Sequence, residues 1–155
     1  MMPRRLIVSG ARHVGKTTFI KIYNQYTPSL PAFSQLVEKT PYLVDRVLHR
    51  RGTCENYKGL LLLFNGADIK SVNPLALDQN TFVVARRLYH EAVHQKFPAL
   101  LCANMVHTRD EELLKMLKAL GIAHIYFNDL HSEEIIRTVS KLEDLIITRR
   151  MVLHN

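Results

Sequence analysis

Gly10-Ala11-Arg12-His13-Val14-Gly15-Lys16-Thr17-Thr18 has the spacing G-x-x-x-x-G-K-[ST]. A loop of this kind turns successive backbone N–H groups onto one anion at the start of a helix. Its lysine supplies a point charge for the outer phosphates, and its first threonine hydroxyl can ligate Mg²⁺. The chemistry requires a strand before the loop and a helix after it. Leu6-Ile7-Val8-Ser9 is a short apolar run suited to a buried parallel strand. Lys16 to Tyr26 carries Phe19, Ile20, Ile22, Tyr23 and Tyr26, a spacing compatible with a helix packed on a sheet. The motif therefore predicts phosphate contacts through Gly10, Ala11, Arg12, His13, Val14, Gly15, Lys16, Thr17 and Thr18. Lys16 and Arg12 are the catalytic candidates, and Thr17 is the metal ligand.

The rest of the chain repeats the pattern. Leu60 to Phe64 and Ala99 to Ala103 are further buried strands, and Ile122 to Phe127 is a fourth. Gln35-Leu36-Val37-Glu38 alternates and predicts a short edge strand, broken by Thr40-Pro41. Helices are expected over Tyr42 to Arg51, Asp78 to Lys96 and Asp110 to Leu120, the last stopped by Gly121. Ser132 reads as the N-cap of a final helix from Glu133 to about Ile147. Short apolar runs alternating with helices predict one α/β domain over 1–155, a three-layer P-loop NTPase (Ras-like) fold. Its central sheet is mostly parallel, with helices on both faces.

Composition bounds the alternatives. An apolar content of 47% and a charged content of 23% over 155 residues suit one globular domain. The longest apolar stretch, Leu60 to Phe64, is too short to cross a bilayer, and no secretory leader is visible, so a cytoplasmic location is expected. Cys54 and Cys102 show no metal-like pairing and read as reduced structural thiols. The charge of +7 is spread over small groups such as Arg4-Arg5, Arg86-Arg87 and Arg149-Arg150. A solvated surface explains this first, an acidic protein partner second, and nucleic acid third. His90 and His94 stand at i, i+4 without a third ligand, so an exposed helix face is expected there.

A working GTPase needs more than the loop. It needs a switch threonine, a D-x-x-G segment for Mg²⁺ and the γ-phosphate, and a guanine-reading [NT]-K-x-D after a strand. By position the last should follow Ala99 to Ala103, where the chain reads Asn104-Met105-Val106-His107. Asn104 fits the first slot, but methionine and histidine replace the lysine and the carboxylate. Asp110 lies three residues on and is the remaining acceptor nearby. The only aspartate between Gln35 and Leu60 is Asp45, in Asp45-Arg46-Val47-Leu48, which lacks the glycine. Asp68 reads as a helix or turn cap. Arg12 either reaches a β- or γ-phosphate as a cation supplied in cis or points to solvent.

Leu6 to Thr18, Gln35-Leu36-Val37-Glu38, Thr40-Pro41-Tyr42-Leu43 and Gly121 to Phe127 together resemble the EutP/PduV family of small P-loop proteins. In that family the corresponding stretches read Q-A-V-E, D-T-P-G-E-Y-L and A-G-x-x-x-I-F. Here the D-T-P-G is broken, and the family's T-K-x-D is Asn104-Met105-Val106-His107. The resemblance implies a Ras-like fold of reduced size, Mg²⁺ with GTP/GDP or ATP/ADP, and a link to bacterial microcompartments. The missing residues imply slow or absent hydrolysis and a role as switch or assembly adaptor. A small ATP-dependent phosphotransferase and a nucleotide-free interaction protein are the alternatives.

Overall fold

The computed structural model describes residues 3–27, 33–50, 56–71, 74–107, 109–126 and 132–154, with side chains of the last helix through residue 148. Among the described residues, five strands pair side by side as one parallel sheet in the order β2-β1-β3-β4-β5. They are β1 (Arg5–Ser9), β2 (Gln35–Glu38), β3 (Gly59–Asn65), β4 (Ala99–Val106) and β5 (Ala123–Tyr126). Registry sets Val8 beside Glu38, Ser9 beside Leu62, and Asn65 beside Asn104, so all five strands end on the same side. β3 lies at the centre and is buried over its whole apolar length, as a strand covered on both faces must be.

Helices fill the connections: α1 (Lys16–Tyr26), α2 (Pro41–His49), α3 (Thr81–His94), α4 (Glu111–Leu120) and α5 (Ser132–His154). Strand alternation sorts the core into two clusters. Ile7, Leu60, Leu62 and Phe64 pack against α2, α3 and α4. Leu6, Val8, Leu61 and Leu63 pack against α1 and α5. This is the predicted three-layer arrangement.

Local chemistry fixes the helix starts. Thr40 caps α2 through its hydroxyl, which accepts from the Leu43 amide, and Pro41 occupies the first helical position, where a missing N–H costs nothing. Asp110 caps α4 by accepting from the Leu113 amide, and Gly121 ends that helix in the left-handed conformation. The α3 start differs from expectation. Asn80 caps it at Thr81, and Leu77–Gln79 forms a separate 3₁₀ turn, so the helix begins later than Asp78. α5 runs beyond Ile147 to His154, and Ser132 is its first residue rather than its cap. Cys102 is free and fully buried, and burial pushes its thiol up to about 12, as expected of an inert structural cysteine. Cys54, Arg51 and Phe127 lie outside the described residues.

Candidate phosphate-binding site

The quoted loop connects β1 to α1 at the carboxyl end of the sheet. Its glycines are there for space as well as conformation. Gly10 has φ +146, and a Cβ on it would lie 2.3 Å from the Leu63 carbonyl oxygen in the central strand. Gly15 has φ +89, and a Cβ there would lie 2.5 Å from Asn104 Nδ2. Both places demand the residue without a side chain. His13 also has positive φ, at 62°, one of three non-glycine residues to do so among the described residues. It and Arg12 are exposed, as are Thr17 and Thr18, whereas Val14 is buried and Ala11 half-buried.

Asn104 stands at the end of β4 and is buried. Its Nδ2 donates to the Val14 carbonyl at 2.8 Å, so the side chain braces the loop from beneath. The expected first slot of a base reader is thus the loop's floor. The next residue, Met105, has φ 56, and its Cε lies near Gly15. Asp110 is engaged at the start of α4: its carboxylate receives Lys70 Nζ at 2.8 Å and the Leu113 amide at 3.1 Å. These contacts hold its carboxyl below the usual carboxylate range, the Lys70 hydrogen bond foremost.

At the mouth of the loop, Lys16 Nζ donates to the Gly10 carbonyl at 2.7 Å. Partial burial lowers its pKa, with Glu38 opposing. Thr17 Oγ1 donates to both carboxylate oxygens of Glu38, at 3.3 and 3.2 Å. Among the described residues, no side chain caps α1 and no acid stands in its first turn, so its leading amides are open to an anion. An ammonium, a hydroxyl, a carboxylate and a helix N-terminus therefore meet at one point.

Glu38 is the residue that sequence reasoning missed. The D-x-x-G pattern points to an aspartate, and Asp45 is the only one between Gln35 and Leu60. The structure places Asp45 on α2, where it accepts from Arg87 at 3.1 Å. The usable signal was positional: an acid ending the strand beside β1, in register with Val8. Asp68, expected as a helix or turn cap, reaches across to the start of α3, accepting from the Thr81 amide and hydroxyl at 2.9 and 2.7 Å beside the cap Asn80. His90 and His94 lie on the exposed face of α3, and no metal-ligating group of three is found among the described residues.

Beside the loop lies a cavity of about 540 Å³. Ala11, Pro41, Leu77, Val83 and Val84 form its apolar walls, and Arg12, Asp78 and Arg87 its polar rim.

No family model and no curated protein matches the chain in sequence. Solved structures match it in fold. A probable GTP-binding protein, engB, superimposes with a TM-score of 0.62 at 11% identity, covering 93% of this chain and 99% of that one. The FeoB G-domain from Methanococcus jannaschii gives 0.53 at 14% identity, covering 92% and 98%. The chain has the fold of the small P-loop GTPases. Among the described residues, no helix is long and apolar enough to cross a membrane.

Proposed function

We propose that this protein binds a nucleoside di- or triphosphate with Mg²⁺ in the loop from Gly10 to Thr18, hydrolyses it slowly or not at all, and serves as a switch or assembly adaptor. The carrying observation is the convergence of Lys16, Thr17 and Glu38 at the start of α1. Thr17 and Glu38 offer hard oxygen donors to Mg²⁺, which commonly takes one or two protein oxygens and completes its shell with phosphate and water. The bound ion would neutralise phosphate charge. Lys16 would leave the Gly10 carbonyl for the outer phosphates, and exposed Arg12 would add a second cation. Asn104 would keep the amides aimed. The likeness to GTP-binding proteins supports a guanine nucleotide, while the engagement of Asp110 and the histidine at position 107 weaken guanine selection. The EutP/PduV resemblance supports a place beside a bacterial microcompartment.

A thermal-shift panel of ATP, ADP, GTP and GDP with Mg²⁺ tests the reading. Stabilisation by at least one nucleotide, absent in Lys16→Ala, is expected. Equal shifts in both proteins would refute it. A second reading, a small phosphotransferase, draws on the cavity beside Arg12, which is large enough for a small acceptor. Phosphoryl transfer from ATP that depends on an added acceptor would establish it.

A further inference from the structure

The geometry points to a nucleotide holder that does not sense the γ-phosphate: Pro41, standing where a sensing amide belongs, makes di- and triphosphates bind alike. This rests on the reading above and chooses the adaptor role over the switch. In a switching GTPase, an acid holds Mg²⁺ and the residue three further on donates its backbone N–H to the γ-phosphate, drawing the following helix in. The contact with Thr17 makes Glu38 the acid here, not Lys39 as the D-T-P-G likeness would have it, and three residues on is Pro41, which has no N–H to donate.

The surroundings oppose movement as well. Only Lys39 and Thr40 separate β2 from α2. The Lys39 amide is already committed to the Val8 carbonyl at 3.1 Å, and the Thr40 hydroxyl caps α2. α2 is then held along its length. Val44, Val47 and Leu48 are buried against α3, Asp45 receives Arg87 at 3.1 Å, and His49 Nε2 meets Glu91 at 3.0 Å. A triphosphate that gains no contact from α2 cannot shift it, since a ligand moves an equilibrium only by its differential affinity for the two states.

The other sensor of such proteins is a hydroxyl from the connection between α1 and the next strand. Of the described residues there, both hydroxyls are taken. Thr27 Oγ1 donates to the Tyr23 carbonyl at 2.6 Å and Ser34 Oγ to Glu143 at 2.6 Å, and both side chains are buried. Among the described residues, recognition then falls to the loop, whose amides would hold the phosphates that both ligand forms share and whose Lys16 would meet the outer phosphates of either.

Calorimetry on the full chain with ADP, ATP, GDP, GTP and non-hydrolysable triphosphates, all with Mg²⁺, tests this. The triphosphate-to-diphosphate affinity ratio for each base is expected to lie within threefold, and amide exchange over residues 42–49 to be the same in both complexes. A tenfold or greater preference for triphosphate, or protection of α2 by triphosphate alone, overturns the inference while leaving nucleotide binding intact. Binding of none of these ligands overturns the reading beneath it and the inference together. Pro41→Ala restores an N–H at a position that tolerates alanine, so its triphosphate preference should rise about tenfold. A ratio unchanged in that variant overturns the assignment to Pro41.

Discussion

Asn104 is the residue on which the loop's shape depends most directly, and its replacement separates geometry from charge. The amide is buried and donates to the Val14 carbonyl at 2.8 Å. Asn104→Ala removes that donor and opens a small void under the loop. A buried polar group left without its partner costs about 1–3 kcal/mol. At roughly 2–4 °C per kcal/mol for a chain of this size, the melting temperature should fall by about 2–12 °C. Asn104→Asp keeps the shape but sets a carboxylate oxygen against the Val14 carbonyl oxygen, a buried charge without a cation. Such a group costs roughly 3–5 kcal/mol, so the aspartate variant should melt below the alanine one at neutral pH. Its carboxyl would be raised above its unfolded value of about 3.9, so the penalty holds above the folded pKa and fades as pH falls below it. Thermal melts of the three proteins from pH 7 to pH 4 read this directly. An aspartate variant as stable as the alanine variant at pH 7, or one that gains nothing relative to it on acidification, would show that the amide does not donate to the loop.

Two further outcomes follow from the contacts around the loop and the α4 start. Gly10→Ala pushes a Cβ to 2.3 Å from a carbonyl oxygen of the central strand, which cannot yield without breaking its ladder. Overpacking and positive-φ strain together should cost about 2–4 kcal/mol in a denaturant titration, and a loss under 0.5 kcal/mol would contradict the packing. Asp110 contributes stability that is present above its unfolded pKa and lost as pH falls through its lower folded value, because Lys70 favours the charged form. Asn caps helices nearly as well as Asp, so Asp110→Asn should show a flatter decline of melting temperature between pH 5 and about pH 2. An identical decline would remove the pair from the account.

The fold was legible because the apolar runs are short, separated by breakers and partnered with amphipathic stretches. β3 reads as Leu60 to Phe64 without a polar interruption, which only a strand covered on both faces tolerates. The α3 boundary was not legible, since Asp78 and Asn80 are both good caps and the choice depends on the Asp68–Thr81 bonds across the loop. The glycines of the loop could be read from spacing, but their neighbours could not: Leu63 and Asn104 approach them from strands distant in sequence. Glu38 escaped for the same reason. Its partner Thr17 is twenty-one residues away, and nothing local to Gln35-Leu36-Val37-Glu38 distinguishes a site acid from a solvated strand end.

An intact motif is by itself an ambiguous witness, because the fold needs much of it regardless of any ligand. Gly10 and Gly15 answer to packing, and Val14 belongs to the core. Lys16 is different. Its ammonium is partly buried, its pKa is lowered by that burial, and its hydrogen bond goes to a carbonyl of its own loop. A side chain held at a cost to the fold is what stability–function trade-offs predict of a ligand-binding group. Lys16→Ala should therefore leave the ligand-free protein as stable as the wild type or more so, while removing its response to nucleotide. In the wild type, ligand at about a hundred times Kd adds roughly 2.7 kcal/mol, or about 5–11 °C, to the melting temperature. A ligand-free variant that melts several degrees lower would mean that Lys16 serves the fold, and the whole loop would then be explained without a phosphate.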